Sequence, residues 1–174
     1  LKINNIDFKE KEKFSLHVVI SPPKNPDRID WLIEKSVEMG ATRVSFVISE
    51  RSIRNKIKLK RLERISIAAM KQSCSRYKLI IDEIAPLSDV LAKVDADQRL
   101  IPHLDDGERI LIYDELRSMR DTCILIGPEG DFTSKEIEEA IGNNFKPVSL
   151  GDRRLRTETA AIMVIGAFNY ANRY

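Results

Sequence analysis

The sequence predicts an α/β fold with a mostly parallel sheet and helices on both of its faces. Three observations carry that expectation. Short apolar, β-branched runs alternate with stretches of helical period along the chain, as in repeated strand–helix units. The first run, "SLHVVI" (Ser15 to Ile20), is apolar enough for a strand buried on both faces. A chain of 174 residues with 43% hydrophobic content can also bury one full core.

Each element has its own local signal. Pro22 and Pro23 close the first strand, and a helix follows from about Pro26 to Met39. Ile29, Leu32, Ile33, Ser36 and Val37 share one face of that helix, and Gly40 stands where it should stop. "RVSFVI" (Arg43 to Ile48) is the next strand. Leu62, Ile65, Ser66, Ala69, Met70 and Ser73 mark a second amphipathic helix. Shorter strands are expected at Leu79 to Ile84, Arg99 to His103, Arg109 to Ile112 and Thr122 to Ile126. Helices are expected near Pro86 to Lys93, Thr133 to Gly142 and Thr157 to Asn172. Thr133 and Glu136 have the spacing of a capping box. "TAAIMVIGAF" is apolar on every side, which predicts a buried helix; Ala160, Ala161, Gly166 and Ala167 would let a second helix or subunit approach closely. No internal repeat or low-complexity linker occurs.

Composition removes several function classes. With 29 basic and 27 acidic residues, formal charge is only +2, so any nucleic-acid surface must come from local clustering. Cys74 and Cys123 lie far apart with no metal-ligand spacing. They read as reduced thiols of a cytoplasmic protein, and no metal site is expected. No apolar run approaches the roughly 18 residues of a membrane span, and no signal peptide is visible. The chain begins at Leu1, and its first fourteen residues are polar and irregular, as though it joins a longer protein partway along.

Two strand-end turns carry the chemistry. In parallel sheets ligands collect beyond the carboxyl ends of strands. "LIGPEGDFTSKEIEEA" (Leu125 to Ala140) hangs Glu129 between Gly127 and Gly130, which allow close backbone approach or positive φ. The motif lacks a Walker lysine, and a carboxylate repels phosphate, so its ligand should be neutral or cationic there. "LGDRRLRTETAA" (Leu150 to Ala161) crowds Arg153, Arg154 and Arg156 before a helix start, where the macrodipole disfavours cations. An anion, or negative charge developing in a reaction, would justify them. The bland alternatives are a tight turn with a solvated Glu129 and a surface arginine cluster capping a core helix.

The pair "LIGPEG" and "LGDRRLRTETA" resembles the signature of the 16S ribosomal RNA uridine-N3 methyltransferase family, within the SPOUT superfamily of knotted methyltransferases. "DRIDWLIEKSVEMGA" (Asp27 to Ala41), "SERS" (Ser49 to Ser52) and "AAMKQSCSR" (Ala68 to Arg76) are similar to that family's blocks in the same order. The resemblance implies a SPOUT domain over 15–174 with a C-terminal deep trefoil knot, and a homodimer. It also implies that residues 1–14 are the remnant of an N-terminal PUA-like β-barrel or linker. S-adenosyl-L-methionine would sit among three loops: His103 and Leu104; Ile126, Gly127, Pro128, Glu129 and Gly130; and Leu150, Gly151, Leu155, Arg156 and Thr157. Lys24, Arg51 and Arg76 match family blocks and are the weighted RNA contacts. Arg54 joins them as part of the basic strip that runs from "SERS" into the second helix.

The implied reaction gives these residues roles. Uridine N3 carries a proton and attacks poorly until it leaves, so a base or charge stabiliser must act there. Arg156 and Arg153 would hold the uracil oxygens as charge spreads onto them. Glu129 would take the proton, given burial to raise its basicity, or orient the cofactor's amino or ribose groups. His17 belongs in or beside a strand, and His103 reads as a cofactor-loop residue rather than the base. Asp131 and Cys74 each stand where the family usually has glycine, and Arg154 where it has an aliphatic residue. The substrate would be 16S rRNA or the assembled small subunit. The alternatives are another SPOUT enzyme acting on a tRNA base or ribose 2′-hydroxyl, or a non-catalytic RNA-binding module.

Overall fold

The computed structural model describes residues 14–104 and 110–172. In chain order its elements are β1 (Leu16–Ile20), α1 (Pro26–Glu38), β2 (Arg43–Ile48), α2 (Leu59–Gln72), β3 (Ile80–Ile81), β4 (Ala85–Pro86) and α3 (Leu87–Leu91). There follow β5 (Gln98–Pro102), β6 (Ile110–Leu111), α4 (Ile112–Glu115), β7 (Thr122–Ile126), α5 (Ser134–Gly142), β8 (Lys146–Ser149) and α6 (Thr157–Asn172).

Every strand pairing among the described residues is parallel, in the order β3-β2-β1-β7-β5-β8-β6, with β4 also on β2. The two central strands, β1 and β7, are apolar and almost wholly buried, as strands covered on both faces must be. Alternation divides their side chains between two cores. Leu16, Val18, Ile20, Ile124 and Ile126 pack under α1, α2 and α6, while Val19, Cys123 and Leu125 pack under α3 and α5. Each such apolar side chain stabilises the fold by about 1.5–3 kcal/mol on burial.

The helices end and begin as their residues dictate. α1 buries Ile29, Leu32, Ile33, Ser36 and Val37. Gly40 adopts φ +80°, and the amides of Ala41 and Gly40 donate to the Ser36 and Val37 carbonyls at 2.9 and 3.1 Å, a complete Schellman cap. α5 carries the capping box of Thr133 and Glu136. α6 buries one face against α1, β1 and β7. Its other face is only half-covered in the single chain, and Tyr170 is 78% exposed.

Three readings of the strands need correction. The strand expected over 79–84 is cut to β3 at Ile80–Ile81, and β4 (Ala85–Pro86) follows just beyond it; they pair with β2 at Arg43–Val44 and at Val47–Ile48. Between them Asp82 sets its carboxylate onto Arg43 and Ser45, while its amide still donates to the Val44 carbonyl at 3.0 Å. Ile112 begins a helical turn rather than ending a strand, and the Arg109 end of that strand lies outside the described residues. β8 was not anticipated, because Pro147 argues against a strand inside a sheet. Among the described residues β8 pairs with β5 over Lys146–Val148 and with β6 over Val148–Ser149. The N-terminal remnant expected over 1–14 lies, except for Phe14, outside the described residues. No helix among them is long and apolar enough to cross a membrane.

Candidate active site

β7, β5 and β8 are neighbours in the sheet, so their carboxyl ends, Ile126, Pro102 and Ser149, come together although they are far apart in sequence. The chain reverses neighbour order here, with β7 inserted between β1 and β5, which is where parallel sheets open a crevice. One cavity occupies it, with an enclosed volume of about 100 Å³. His103 and Leu104 line it after β5; Ile126, Gly127, Pro128, Glu129 and Asp131 after β7; and Leu150, Gly151, Arg153, Arg154, Leu155 and Thr157 after β8.

Glycine is required at the first turn. A Cβ on Gly127 would stand 3.0 Å from Asp131 Oδ1 and 3.1 Å from the Phe132 ring. Gly151 adopts φ +98°, which a side chain resists. The walls are apolar at Ile126, Pro128, Leu150 and Leu155, and the rim is charged in two halves. Glu129 and Asp131 supply carboxylates on the β7 side, and Arg153 and Arg154 supply guanidiniums on the β8 side. A ligand with separated charges therefore has one favoured direction.

Twelve residues were expected around the cofactor, and ten of them line this cavity. Gly130 and Arg156 do not. Gly130 lies beneath Arg51, whose side chain would be 3.4 Å from a Cβ there. Arg156 is exposed between Leu155 and Thr157, which take the inward positions, and its carbonyl accepts from the Ala160 amide at 2.8 Å to close the first turn of α6. Arg153, expected at the acceptor, lines the cavity itself. Glu129 is exposed, so this chain does not supply the burial that a proton-abstracting carboxylate needs; its Oε1 accepts from the Lys24 amide at 2.9 Å.

Three of the four expected RNA contacts gather beside the β7 turn. Arg51 donates to the Gly130 carbonyl at 2.7 Å, Arg54 donates to the Lys24 carbonyl at 2.7 Å, and Lys24 holds Glu129. Arg76 does not join them. It borders a separate recess with Gly40, Cys74 and Asn169, at the edge of the sheet where β2 and β3 begin. Cys74, where the family pattern has glycine, adopts φ +53°, and Asp131, likewise, φ +61°. Both departures therefore occupy the backbone region that glycine prefers.

Several anchoring contacts had no recognisable signal. Glu136 is buried, and beyond its capping box its Oε1 accepts from the Glu50 amide at 2.7 Å, tying the "SERS" turn to α5. The hydroxyls of Ser21, Ser49 and Ser52 form a cluster, with bonds of 2.9 and 2.8 Å centred on Ser49, beside the same turn. Glu158 is buried in the first turn of α6, where the helix dipole favours a carboxylate, and meets Arg28 of α1 at 3.4 Å. Such partners are set by tertiary contact, which no local spacing encodes.

Away from the cavity, His17 lies near the amino-terminal end of β1. Ser45 donates its hydroxyl proton to Asp82, so His17 Nε2 donates to Ser45 Oγ at 2.7 Å and the ring is neutral. Burial, reinforced by Arg43 and opposed by Asp82, brings its pKa down from 6.5 to about 4. The Asp82 carboxyl titrates low as well: burial pulls it upward, but bonds from Arg43 and Ser45 outweigh that. Burial also pushes the Cys123 thiol up to about 12, which leaves it inert.

Known proteins match this arrangement. The ribosomal RNA small subunit methyltransferase E of Rickettsia conorii is 30% identical over 93% of this chain and 70% of its own length. A probable rRNA-methyltransferase from Porphyromonas gingivalis superposes with a TM-score of 0.90 at 38% identity, over 97% of this chain and 72% of that one. The ribosomal RNA small subunit methyltransferase E of Neisseria gonorrhoeae, solved bound to S-adenosyl methionine, superposes at 0.81 with 31% identity, over 91% of this chain and 67% of that one. The chain spans 70, 60 and 58% of the length of three sequence relatives. The model of the RNA methyltransferase domain matches residues 10–169, almost the whole chain including all three cavity loops, and the chain belongs to that family.

Proposed function

We propose that the protein transfers a methyl group from S-adenosyl-L-methionine to N3 of a uridine in 16S ribosomal RNA. One observation carries the reading: the Gly127–Glu129 turn after β7 and the Arg153–Leu155 stretch after β8 line one cavity, from strand ends on either side of β5. The cofactor is supported by the S-adenosyl methionine bound to the Neisseria relative, and the substrate by the names of the relatives. Choice of uridine N3 rests on the resemblance of "LIGPEG" and "LGDRRLRTETA" to that enzyme family.

The residues present fit such a cofactor in chemistry. Apolar walls suit an adenine ring, and the carboxylates of Glu129 and Asp131 suit ammonium, ribose or sulfonium groups. The enclosed volume falls below the roughly 300 Å³ of ordinary ligand sites, so part of the molecule lies across the rim, where Leu104 and both arginines are exposed.

The cofactor supplies an electrophilic methyl, and the chain positions and stabilises. Arg153, on the cavity side, and Arg156, on the solvent side where RNA arrives, hold the uracil oxygens as N3 gives its proton to solvent at the open rim and charge spreads. Glu129 acts as an orienting acceptor rather than as the base. Arg51, Arg54 and Lys24 bind phosphates beside the turn, and Arg76 reaches RNA from the far edge. The C-terminal segment is threaded as a trefoil knot. A second copy packs on the half-covered face of α6.

The test is to incubate full-length protein with labelled S-adenosyl-L-methionine and either small subunits or naked RNA. Label recovered as 3-methyluridine is the expected result. Label on another atom assigns a different knotted RNA methyltransferase, and no label with either substrate leaves an RNA-binding module.

A further inference from the structure

We propose that Asp131 is a positioning residue: its carboxylate staples the His103–Leu104 loop to the Gly127–Gly130 turn and so sets the width of the cavity. The proposal rests on the cofactor reading above. Asp131 adopts φ +61°, a conformation that side chains resist and that glycine would accept freely. The carboxylate uses both oxygens. Oδ1 accepts from the Phe132 amide at 2.8 Å within the turn, and Oδ2 accepts from the Leu104 amide at 2.6 Å across the cavity. Gly127 leaves the room for it, since a Cβ there would stand 3.0 Å from Oδ1. Two loops that come from different strands are thereby held by one side chain, and both line the cavity. Charge-assisted bonds from carboxylate to backbone amide are among the stronger hydrogen bonds of proteins. Glycine, which the family pattern carries here, would spare the backbone strain and lose the staple. A bond between loops before the ligand arrives lowers the ordering cost of binding.

The experiment compares wild type with Asp131→Gly and Asp131→Asn. Two readouts are taken: the Leu104 amide proton by NMR without ligand, and affinity for S-adenosyl-L-methionine by calorimetry. Asp131→Gly suits the backbone, so a folding defect is not expected. We expect its Leu104 amide to lose protection and its affinity to fall about tenfold. Asp131→Asn has one acceptor oxygen where the carboxylate has two, so it can hold the Phe132 amide or the Leu104 amide but not both, and should fall between wild type and Asp131→Gly in both readouts. Wild-type affinity or an unchanged Leu104 amide in Asp131→Gly would overturn the proposal, as would an Asn variant that keeps the Leu104 amide protected and yet binds as weakly as Gly. Absence of binding by wild type overturns the cofactor reading instead, and the Leu104 amide then decides the staple alone.

Discussion

His17 shows how one side chain ties stability to pH. It is neutral in the fold, donating to Ser45, and its pKa stands near 4 instead of 6.5. Between those values the unfolded chain takes up a proton that the folded chain refuses. Stability therefore falls as pH drops from about 6.5 to about 4, by up to about 3 kcal/mol from this residue. Above that window His17 contributes no slope. Asp82, whose carboxyl titrates low, adds stability that is lost only at lower pH, as its own proton returns. Urea titrations at a series of pH values should show the upper decline, and His17→Gln should flatten it while Asp82 keeps the lower one. An unchanged slope in that variant would place the acid sensitivity elsewhere.

Glu136 operates between elements. Its two oxygens receive the Thr133 amide, the Thr133 hydroxyl and the Glu50 amide, so the start of α5 and the "SERS" turn share one buried carboxylate. Arg51 of that turn then reaches the Gly130 carbonyl. The basic residues beside the cavity and the β7 turn thus form one hydrogen-bonded unit. Glu136→Ala should cost about 1–2 kcal/mol from the lost cap alone. It should also weaken RNA binding several-fold by releasing Arg51, a change that a filter-binding assay would detect; full RNA affinity in a destabilised variant would separate the two effects. The capping half of this was legible in Thr133 and Glu136 as a spacing. The Glu50 half was not, because the partner lies on another strand's loop. The same division holds for Ser49, visible only as part of "SERS" until Ser21 and Ser52 are seen around it.

For the whole molecule, the alternating pattern was enough to read a parallel sheet, the buried first strand and the inward faces of α1 and α2. It could not reveal β8, which carries Pro147 inside the sheet, nor the insertion of β7 between β1 and β5, since strand order leaves no local trace. The candidate site was legible as two glycine- and arginine-rich turns. What the sequence withheld was side: Arg153 lines the cavity, Arg156 faces out between two inward neighbours, and Arg76 lies at the other edge of the sheet. Those assignments depend on backbone direction after the strands end, where no period applies. The central claim is that three strand-end loops hold one cofactor. Amide chemical-shift mapping during titration with S-adenosyl-L-methionine tests it most directly. Saturable shifts concentrated at Leu104, Gly127, Gly151 and Leu155 are predicted; no shifts at all, or shifts centred on the recess around Cys74 and Arg76, would contradict it.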